Sequence, residues 1–194
     1  MRPAVFLDRD GVLIEDVDLL TKPEQIRILP HVPRALKALK KAGFALVVVS
    51  NQTVVARGLA SEADVRAINH RLQELLVRED APNLDGWYFC PHHPNAVLPA
   101  YRAVCECRKP GSGMLLQAAR EHDLNLPASF TVGDRITDIV AGAKAGTRTI
   151  LVQTGKHADP PIETAEPMDT SIKPDYICPD LLAAAEWILG RHRE

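Results

Sequence analysis

The chain has 194 residues, of which 46% are hydrophobic and 25% charged, and this composition predicts one globular domain over residues 1–194. With 23 basic and 25 acidic residues the net charge is −2, so nothing in the composition favours a nucleic-acid or membrane partner. No run approaches the roughly 18 apolar residues of a membrane span, and the N-terminal residues lack a signal-peptide pattern. We expect a cytoplasmic protein that acts as a monomer.

Short apolar runs alternate with amphipathic segments along the chain. Strands are predicted at residues 4–7, 44–49, 86–89, 130–132, 149–152 and 176–177. Helices are predicted from Val32, after the N-cap Ser61, around Leu115, over 138–145 and over 181–189. Residues 156–174 contain four prolines and indicate a long loop. The alternation predicts an α/β fold with a doubly wound, mainly parallel sheet and helices on both faces.

Polar side chains stand where several of the predicted strands end. Asp8 and Asp10 follow the first strand, Ser50 and Asn51 follow the second, and Asp134 follows the strand that begins at residue 130. In a doubly wound sheet the ligand crevice lies at the carboxyl ends of the strands. We therefore expect these residues to converge on one site.

The residue types at these positions suit phosphoryl transfer. Asp8 can act as the nucleophile, and Asp10 can protonate the leaving oxygen and later accept a proton from water. Asp8 and Asp134 can hold Mg²⁺, which prefers oxygen ligands. Ser50 and Lys109 can stabilise the transferring phosphoryl group, the first by hydrogen bonds and the second by charge.

The same residues, taken in order, resemble the phosphatases of the haloacid dehalogenase (HAD) superfamily. The likeness rests on Asp8–Val12, Ser50, Lys109 and the segment Gly133–Asp138. It implies an aspartyl-phosphate intermediate on Asp8, and Mg²⁺ held by Asp8, the backbone carbonyl of Asp10, and Asp134. Asp138, four residues after Asp134, is expected to brace the metal ligands or Lys109.

A second cluster of potential ligands lies between residues 90 and 107. Cys90 and His92 form one pair, and Cys105 and Cys107 form another. Three sulfurs and one imidazole complete a tetrahedral set, which is typical of structural zinc rather than catalytic zinc. His93 is an alternative to His92 as the imidazole ligand. The pattern predicts a zinc-binding loop over residues 90–107 that fixes the position of the cations directly after it.

This loop and its surroundings are similar to a narrower group within the superfamily. Cys90–Pro94, Cys105–Pro110 and Leu46–Gly58 resemble the heptose 1,7-bisphosphate 7-phosphatases and the related histidinol-phosphate phosphatases. The likeness implies a small phosphorylated sugar as substrate, recognised in part by Arg108. Further substrate contacts are expected from Asn51, Arg57 and Arg135. The intervals between the motifs are too short for a separate cap domain.

Other functions compete with this hypothesis. Histidinol phosphate or another small phosphate is an alternative substrate. A phospho-accepting signalling domain also places acids, a hydroxyl and a lysine at strand ends, but it lacks an acid at the position of Asp10. A zinc-stabilised nucleic-acid module is disfavoured by the net charge of −2.

Overall fold

A computed structural model describes residues 1–159, 169 and 171–191 of the chain. The strands are β1 (Ala4–Leu7), β2 (Ala45–Asn51), β3 (Gly86–Cys90), β4 (Phe130–Gly133), β5 (Arg148–Val152) and β6 (Tyr176–Cys178). The helices are α1 (Val32–Lys41), α2 (Thr53–Ala56), α3 (Glu62–Arg78), α4 (Gly113–His122), α5 (Ile136–Ala145) and α6 (Leu181–Arg191). Most of the loop predicted over residues 156–174 lies outside the described residues.

The six strands form one sheet in the order β3-β2-β1-β4-β5-β6, and every neighbouring pair is parallel. This confirms the predicted fold class. The chain order runs outward from β1 in one direction as far as β3, and then resumes on the other side of β1 with β4. The sheet therefore has its topological switch point between β1 and β4, where such folds open a crevice beyond the strand ends.

The central strands are buried on both faces, which explains why they are apolar throughout. In β1 the side chains of Val5 and Leu7 pack into the core under α1, α3 and α6. The alternate side chains of Ala4 and Phe6 pack against α4 and α5 on the other face. Because strand side chains alternate, a short run of four apolar residues supplies both cores.

Two helices, α2 and α3, lie between β2 and β3. Helix α3 begins at the predicted N-cap: the Ser61 hydroxyl accepts a hydrogen bond from the Asp64 N–H at 3.1 Å, and the Asp64 carboxylate accepts one from the Ser61 N–H at 2.8 Å. The short helix α2, directly after β2, was not expected from the sequence. The described part of the chain contains no second sheet that could form a cap domain. Among the described helices, none has the length and apolar character that a membrane crossing requires.

We expect Ser61→Ala to lower the free energy of unfolding by about 1 kcal/mol, because the first turn of α3 loses its side-chain acceptor. Urea unfolding at neutral pH measures the difference. Ser112→Ala is the matched control, since Ser112 precedes α4 and makes no capping hydrogen bond with its side chain in the described structure. Equal losses in the two variants would contradict the role assigned to the Ser61 cap.

Candidate active site

A polar cleft lies at the carboxyl ends of β1, β2 and β4, next to the switch point of the sheet. Most of the predicted site residues line it: Asp8, Asp10, Ser50, Asn51, Arg108, Lys109, Asp134, Arg135 and Asp138. Ser50 and Asn51 are the last residues of β2, and the others lie in a loop or helix start directly after a strand, except Arg108 and Lys109, which end the cysteine-rich loop. The structure therefore brings the strand-end residues together around one cleft, and their catalytic roles stay predictions.

Lys109 is buried at the centre of this cleft, with 3% of its surface exposed. Its ammonium nitrogen lies 3.0 Å from Asp8 Oδ1 and 2.5 Å from Asp138 Oδ1. It also donates a hydrogen bond of 2.9 Å to the carbonyl of Val49 in β2. Three acceptors thus use the three donors of the ammonium group, and they hold it between two carboxylates.

The buried carboxylates lie around the ammonium group of Lys109, and the pKa values of Asp8 and Asp134 show the effect of burial and of this crowding. Burial raises the pKa of Asp8 well above its usual range, and Asp138 and Asp134 raise it further, while Lys109 opposes them. Burial and the neighbouring Asp138 raise the pKa of Asp134 to about 7. For Lys109, burial alone would lower the pKa, but the carboxylates of Asp138 and Asp8 outweigh burial and raise it. The cluster holds more negative charge than Lys109 neutralises.

Asp134 sits in a tight cradle of backbone. A Cβ built on Gly155 would lie 2.1 Å from Asp134 Oδ2, and one built on Gly11 would lie 2.5 Å from the same atom. The N–H of Lys156 donates to this oxygen at 2.7 Å. Gly11 also adopts a φ of +78°, which favours glycine. The two glycines let the backbone close on the carboxylate and fix its direction.

The donor set of this cradle fits a divalent cation. Carboxylate oxygens of Asp8, Asp134 and Asp138 all lie within 4.8 Å of one another. All three side chains are buried, and hard cations such as Mg²⁺ prefer oxygen ligands. A bound cation would supply the positive charge that Lys109 alone does not provide. Asp138 also accepts from the Arg135 N–H at 3.0 Å and pairs with Lys109, which agrees with the bracing position expected for it.

A hydrogen-bonded network joins Asp10 to Ser50. The Gln52 amide donates to Asp10 Oδ2 at 2.9 Å and to Ser50 Oγ at 2.6 Å. The Gln52 carbonyl oxygen accepts from Arg9 Nη2 at 2.8 Å. A guanidinium can only donate, so this contact fixes the orientation of the amide. Because the Ser50 oxygen accepts from Gln52, its O–H remains available as a donor toward a phosphoryl oxygen.

The loop that carries Lys109 is held by Asn51. The Asn51 carbonyl oxygen accepts from the Lys109 N–H at 3.0 Å, and its amide donates to the Lys109 carbonyl at 3.0 Å. Both groups of the side chain are therefore used on the protein backbone. The second N–H of the Asn51 amide stays available for a contact with a substrate. Arg108 lines the cleft, and its Nη1 donates to the carbonyl of His92 at 3.2 Å.

The four predicted zinc ligands lie together. Cys90 Sγ lies 3.0 Å from Cys107 Sγ and 3.6 Å from Cys105 Sγ, and His92 Nδ1 lies 3.5 Å from Cys107 Sγ. The structure brings His92 into the cluster, whereas the ring of His93 accepts the N–H of Asn95. The close contact between the sulfurs of Cys107 and Cys90 lowers the pKa of Cys107 to about 5, which favours a thiolate at neutral pH. Thiolates and imidazole in this number suit tetrahedral zinc.

Arg57 is the one predicted cleft residue that the structure does not bring to the cleft. It is exposed at the end of α2, and it is not among the described residues that line the cleft. The loop after β1, by contrast, brings two further acids, Asp16 and Asp18, to the rim of the cleft. Asp16 lies 3.7 Å from Arg135 and 3.5 Å from Lys156, and Asp18 forms an ion pair with Lys156. The acids of this rim are therefore matched by two cations.

Comparisons with known proteins agree with this geometry. Residues 106–184 match the model of the HAD-hydrolase-like family. The D-glycero-D-manno-heptose-1,7-bisphosphate 7-phosphatase of Thermosynechococcus vestitus is 44% identical over 190 residues, which cover 96% of this chain and 95% of the relative. The D-glycero-beta-D-manno-heptose-1,7-bisphosphate 7-phosphatase of Escherichia coli K12 is 42% identical over 164 residues, or 84% of this chain and 85% of the relative.

A solved structure is similar over nearly the whole fold. The D,D-heptose 1,7-bisphosphate phosphatase of B. bronchiseptica, complexed with magnesium and phosphate, superimposes with a TM-score of 0.81. It is 33% identical, and the match covers 98% of this chain and 99% of that structure. The chain belongs to the heptose bisphosphate phosphatase family. It is a phosphatase of the HAD hydrolase type, so the signalling and nucleic-acid alternatives fall away.

Sequence reasoning about this phosphatase missed three residues that shape its cleft: Arg9, Gln52 and Lys156. Arg9 and Gln52 each stand beside a residue with a predicted role, whereas Lys156 does not. The clearest indication in the sequence is the one for Arg9. It stands between two acids at the end of a buried strand, where those acids are the nearest available partners for its charge. The contacts of Gln52 and Lys156 depend on loop geometry, which periodicity does not describe.

The raised pKa of Asp134 predicts a pH-dependent stability. The folded phosphatase binds a proton at Asp134 more tightly than the unfolded chain, because the pKa is about 7 instead of the ordinary 3.8. This stabilisation is full below about pH 4 and is lost as the pH rises through about 7. In buffer without added Mg²⁺, the melting temperature of the wild type should fall relative to that of Asp134→Asn between pH 5 and pH 8.

Addition of Mg²⁺ at pH 8 should restore the melting temperature of the wild type and leave that of Asp134→Asn unchanged, because the variant lacks a charged ligand for the ion. Differential scanning calorimetry at matched ionic strength measures both effects. Parallel pH curves for the two proteins would show that Asp134 does not titrate in the folded state as described.

Proposed function

We propose that this phosphatase removes the 7-phosphate of D-glycero-D-manno-heptose 1,7-bisphosphate, by way of an aspartyl-phosphate on Asp8, and releases heptose 1-phosphate and inorganic phosphate. The named relatives support the substrate, since they match 84–96% of the chain at 42–44% identity. One observation carries the mechanism: buried Lys109 lies between Asp8 and Asp138 at the switch point of the sheet.

In the first half-reaction a carboxylate oxygen of Asp8 attacks phosphorus, and the bond between phosphorus and the sugar oxygen breaks. Asp8 Oδ1 accepts the Arg9 N–H at 2.7 Å and pairs with Lys109, so its carboxyl group is held in one orientation before substrate binds. Asp10 in its acid form gives a proton to the departing sugar oxygen. The Ser50 hydroxyl and the Lys109 ammonium stabilise charge on the phosphoryl oxygens.

In the second half-reaction water attacks the phosphorus of the aspartyl-phosphate. Asp10, now a carboxylate, accepts the proton from that water, and the bond between phosphorus and the Asp8 oxygen breaks. Inorganic phosphate leaves, and both carboxyl groups return to their starting states. Lys109 remains charged throughout, because the carboxylates around it raise its pKa.

We propose Mg²⁺ as the catalytic cation, held by Asp8, Asp134 and the backbone carbonyl of Asp10. When bound, it neutralises the charge that otherwise repels a phosphate dianion from a carboxylate. The cradle that Gly11 and Gly155 form around Asp134 supports this assignment. Asp138 then acts indirectly, by orienting Lys109 and the start of α5.

The cations at the rim suit a substrate with a second phosphate. Arg108, Arg135 and Lys156 all line the cleft. The pairs of Arg135 and Lys156 with Asp16 are partly exposed, and ion pairs of this kind contribute about 0–1 kcal/mol. A phosphate dianion can therefore replace the carboxylate at little cost. Arg57, by its position, is not part of this proposal.

We propose that Cys90, His92, Cys105 and Cys107 bind one structural zinc ion. The cluster ends two residues before Lys109, and Arg108 donates to the carbonyl of His92. A metal that fixes these ligands would also fix the path of the chain into the cleft.

Asp8→Asn should abolish turnover while the protein remains folded, because an amide oxygen cannot form the acyl-phosphate. We expect a loss of at least about a thousandfold in kcat. Phosphate release is measured with Mg²⁺ for heptose 1,7-bisphosphate, heptose 7-phosphate and histidinol phosphate in parallel, with circular dichroism as the folding control.

Retention of near wild-type activity in Asp8→Asn would exclude the nucleophile assignment. A higher kcat/KM for histidinol phosphate than for the heptose bisphosphate would exclude the proposed substrate and leave the mechanism intact. A preference for heptose 7-phosphate over the bisphosphate would argue against the second-phosphate contacts at the rim.

Cys107→Ala should reduce bound zinc from about one equivalent to near zero and lower the melting temperature, because a closed tetrahedral site loses a thiolate ligand. Inductively coupled plasma mass spectrometry of the purified protein measures the metal. Cys178→Ala is the matched control, since Cys178 is buried in the core and lies outside the cluster. Equal zinc contents in the wild type and in Cys107→Ala would remove Cys107 from the ligand set.

A further inference from the structure

Arg9 stands between the two acids of the cleft, and the mechanism above gives its side chain no part. Its side chain is 1% exposed and belongs to the largest fully buried side chains of the described residues. Guanidinium groups are almost never buried without matched acceptors. The hydrogen-bond partners of Arg9 therefore indicate its function.

Most of those contacts converge on Asp10. Arg9 Nε lies 3.2 Å from Asp10 Oδ2, and Arg9 Nη2 lies 3.0 Å from the same oxygen and 3.2 Å from Asp10 Oδ1. A planar guanidinium that binds both oxygens of a carboxylate fixes the plane of the carboxyl group as well as its position. Without this fork, the Asp10 carboxyl group, which is 24% exposed, would keep the Gln52 amide as a donor to one oxygen, and one such contact does not fix its plane.

The network also distinguishes the two oxygens of Asp10. Oδ2 accepts hydrogen bonds from Arg9 Nε, Arg9 Nη2 and Gln52 Nε2, whereas Oδ1 accepts one bond of 3.2 Å. An oxygen with its lone pairs used in this way has no site left for a proton. The transferable proton of Asp10 therefore belongs on Oδ1.

The guanidinium is itself anchored from two other parts of the fold. Arg9 Nη1 donates to Asn69 Oδ1 of α3 at 3.0 Å, and Nη2 donates to the carbonyl oxygen of Gln52 at 2.8 Å. Asn69 is buried and touches none of the reacting groups. The helix thus sets the position of Arg9, and Arg9 sets the position of Asp10.

We propose that Arg9 is a positioning residue that fixes Asp10 as the proton donor to the leaving oxygen, with Asn69 as its anchor on α3. The inference rests on the proposed function, because it assigns a part to Arg9 in the same reaction. It predicts an effect that depends on the leaving group. A sugar alkoxide needs a proton to depart, whereas 4-nitrophenolate leaves without one.

The test compares kcat/KM for the sugar bisphosphate with kcat/KM for 4-nitrophenyl phosphate. A positioned general acid contributes about 10²–10⁴ in rate, so Arg9→Met should lower the first value by about a hundredfold and the second by less than about threefold. Arg9→Lys should restore little, because it keeps the charge and loses the fork. Asn69→Ala should reduce the ratio of kcat/KM for the sugar bisphosphate to kcat/KM for 4-nitrophenyl phosphate by a few-fold.

Thr147→Val is the matched control for a buried polar network outside the cleft. Thr147 pairs with Thr131 at 2.7 Å and donates to the carbonyl of Gly142 at 3.1 Å. Its replacement should lower the melting temperature and leave the ratio of the two kcat/KM values at the wild-type level. If Arg9→Met does not fold, the ratio measured in Asn69→Ala decides the question.

Equal losses on both substrates in Arg9→Met and Asn69→Ala would overturn the inference, because a direct contact of Arg9 with the phosphoryl group or a loss of folded protein affects both substrates alike. Failure of the proposed function looks different: the wild type would then be inactive on both substrates, or Asp8→Asn would remain active. If the wild type accepts only another alkyl phosphate, that ester replaces the sugar bisphosphate in the comparison.

Discussion

The buried ammonium group of Lys109 is the contact on which the organisation of the cleft depends. It joins Asp8 after β1, Asp138 in α5 and the carbonyl of Val49 in β2. Burial of an ammonium group without such partners would cost more free energy by desolvation than packing of the side chain contributes. Conversely, the carboxylates would repel one another in its absence. The charges therefore hold the end of β1, strand β2 and the first turn of α5 in one arrangement, and a bound divalent cation would complete the neutralisation.

Much of this arrangement follows from the sequence, for a physical reason. Parallel strands have their carboxyl ends at the same edge of the sheet, so polar residues that directly follow apolar runs lie close together there. Asp8, Ser50 and Asp134 are such residues, and all three line the cleft. The directions of side chains in irregular turns do not follow from periodicity. For this reason neither the exposed position of Arg57 nor the turn of Arg9 toward Asp10 could be derived from spacing alone.

The cysteine-rich loop contributes to the cleft through backbone geometry more than through its own chemistry. Lys109 follows Cys107 by two residues, and Asn51 binds the main chain of Lys109 with both groups of its side chain. The loop is thus fixed at one end by its sulfur and imidazole cluster and at the other by the end of β2. Cys90, His92, Cys105 and Cys107 lie together in the structure, because two close pairs of residues can meet whenever the loop between them folds back. Their role as zinc ligands stays a prediction.

The closure of Gly11 and Gly155 around Asp134 has a consequence for biosynthesis. The two glycines are far apart in the sequence, one after β1 and the other after β5, yet a Cβ on Gly155 would lie 2.8 Å from the Cα of Gly11. Neither loop can shape the ion's cradle alone. A nascent chain on the ribosome therefore carries an incomplete centre until the segment after β5 has emerged and docked. The order of synthesis therefore places completion of the centre after residue 155, when most of the chain has already been made.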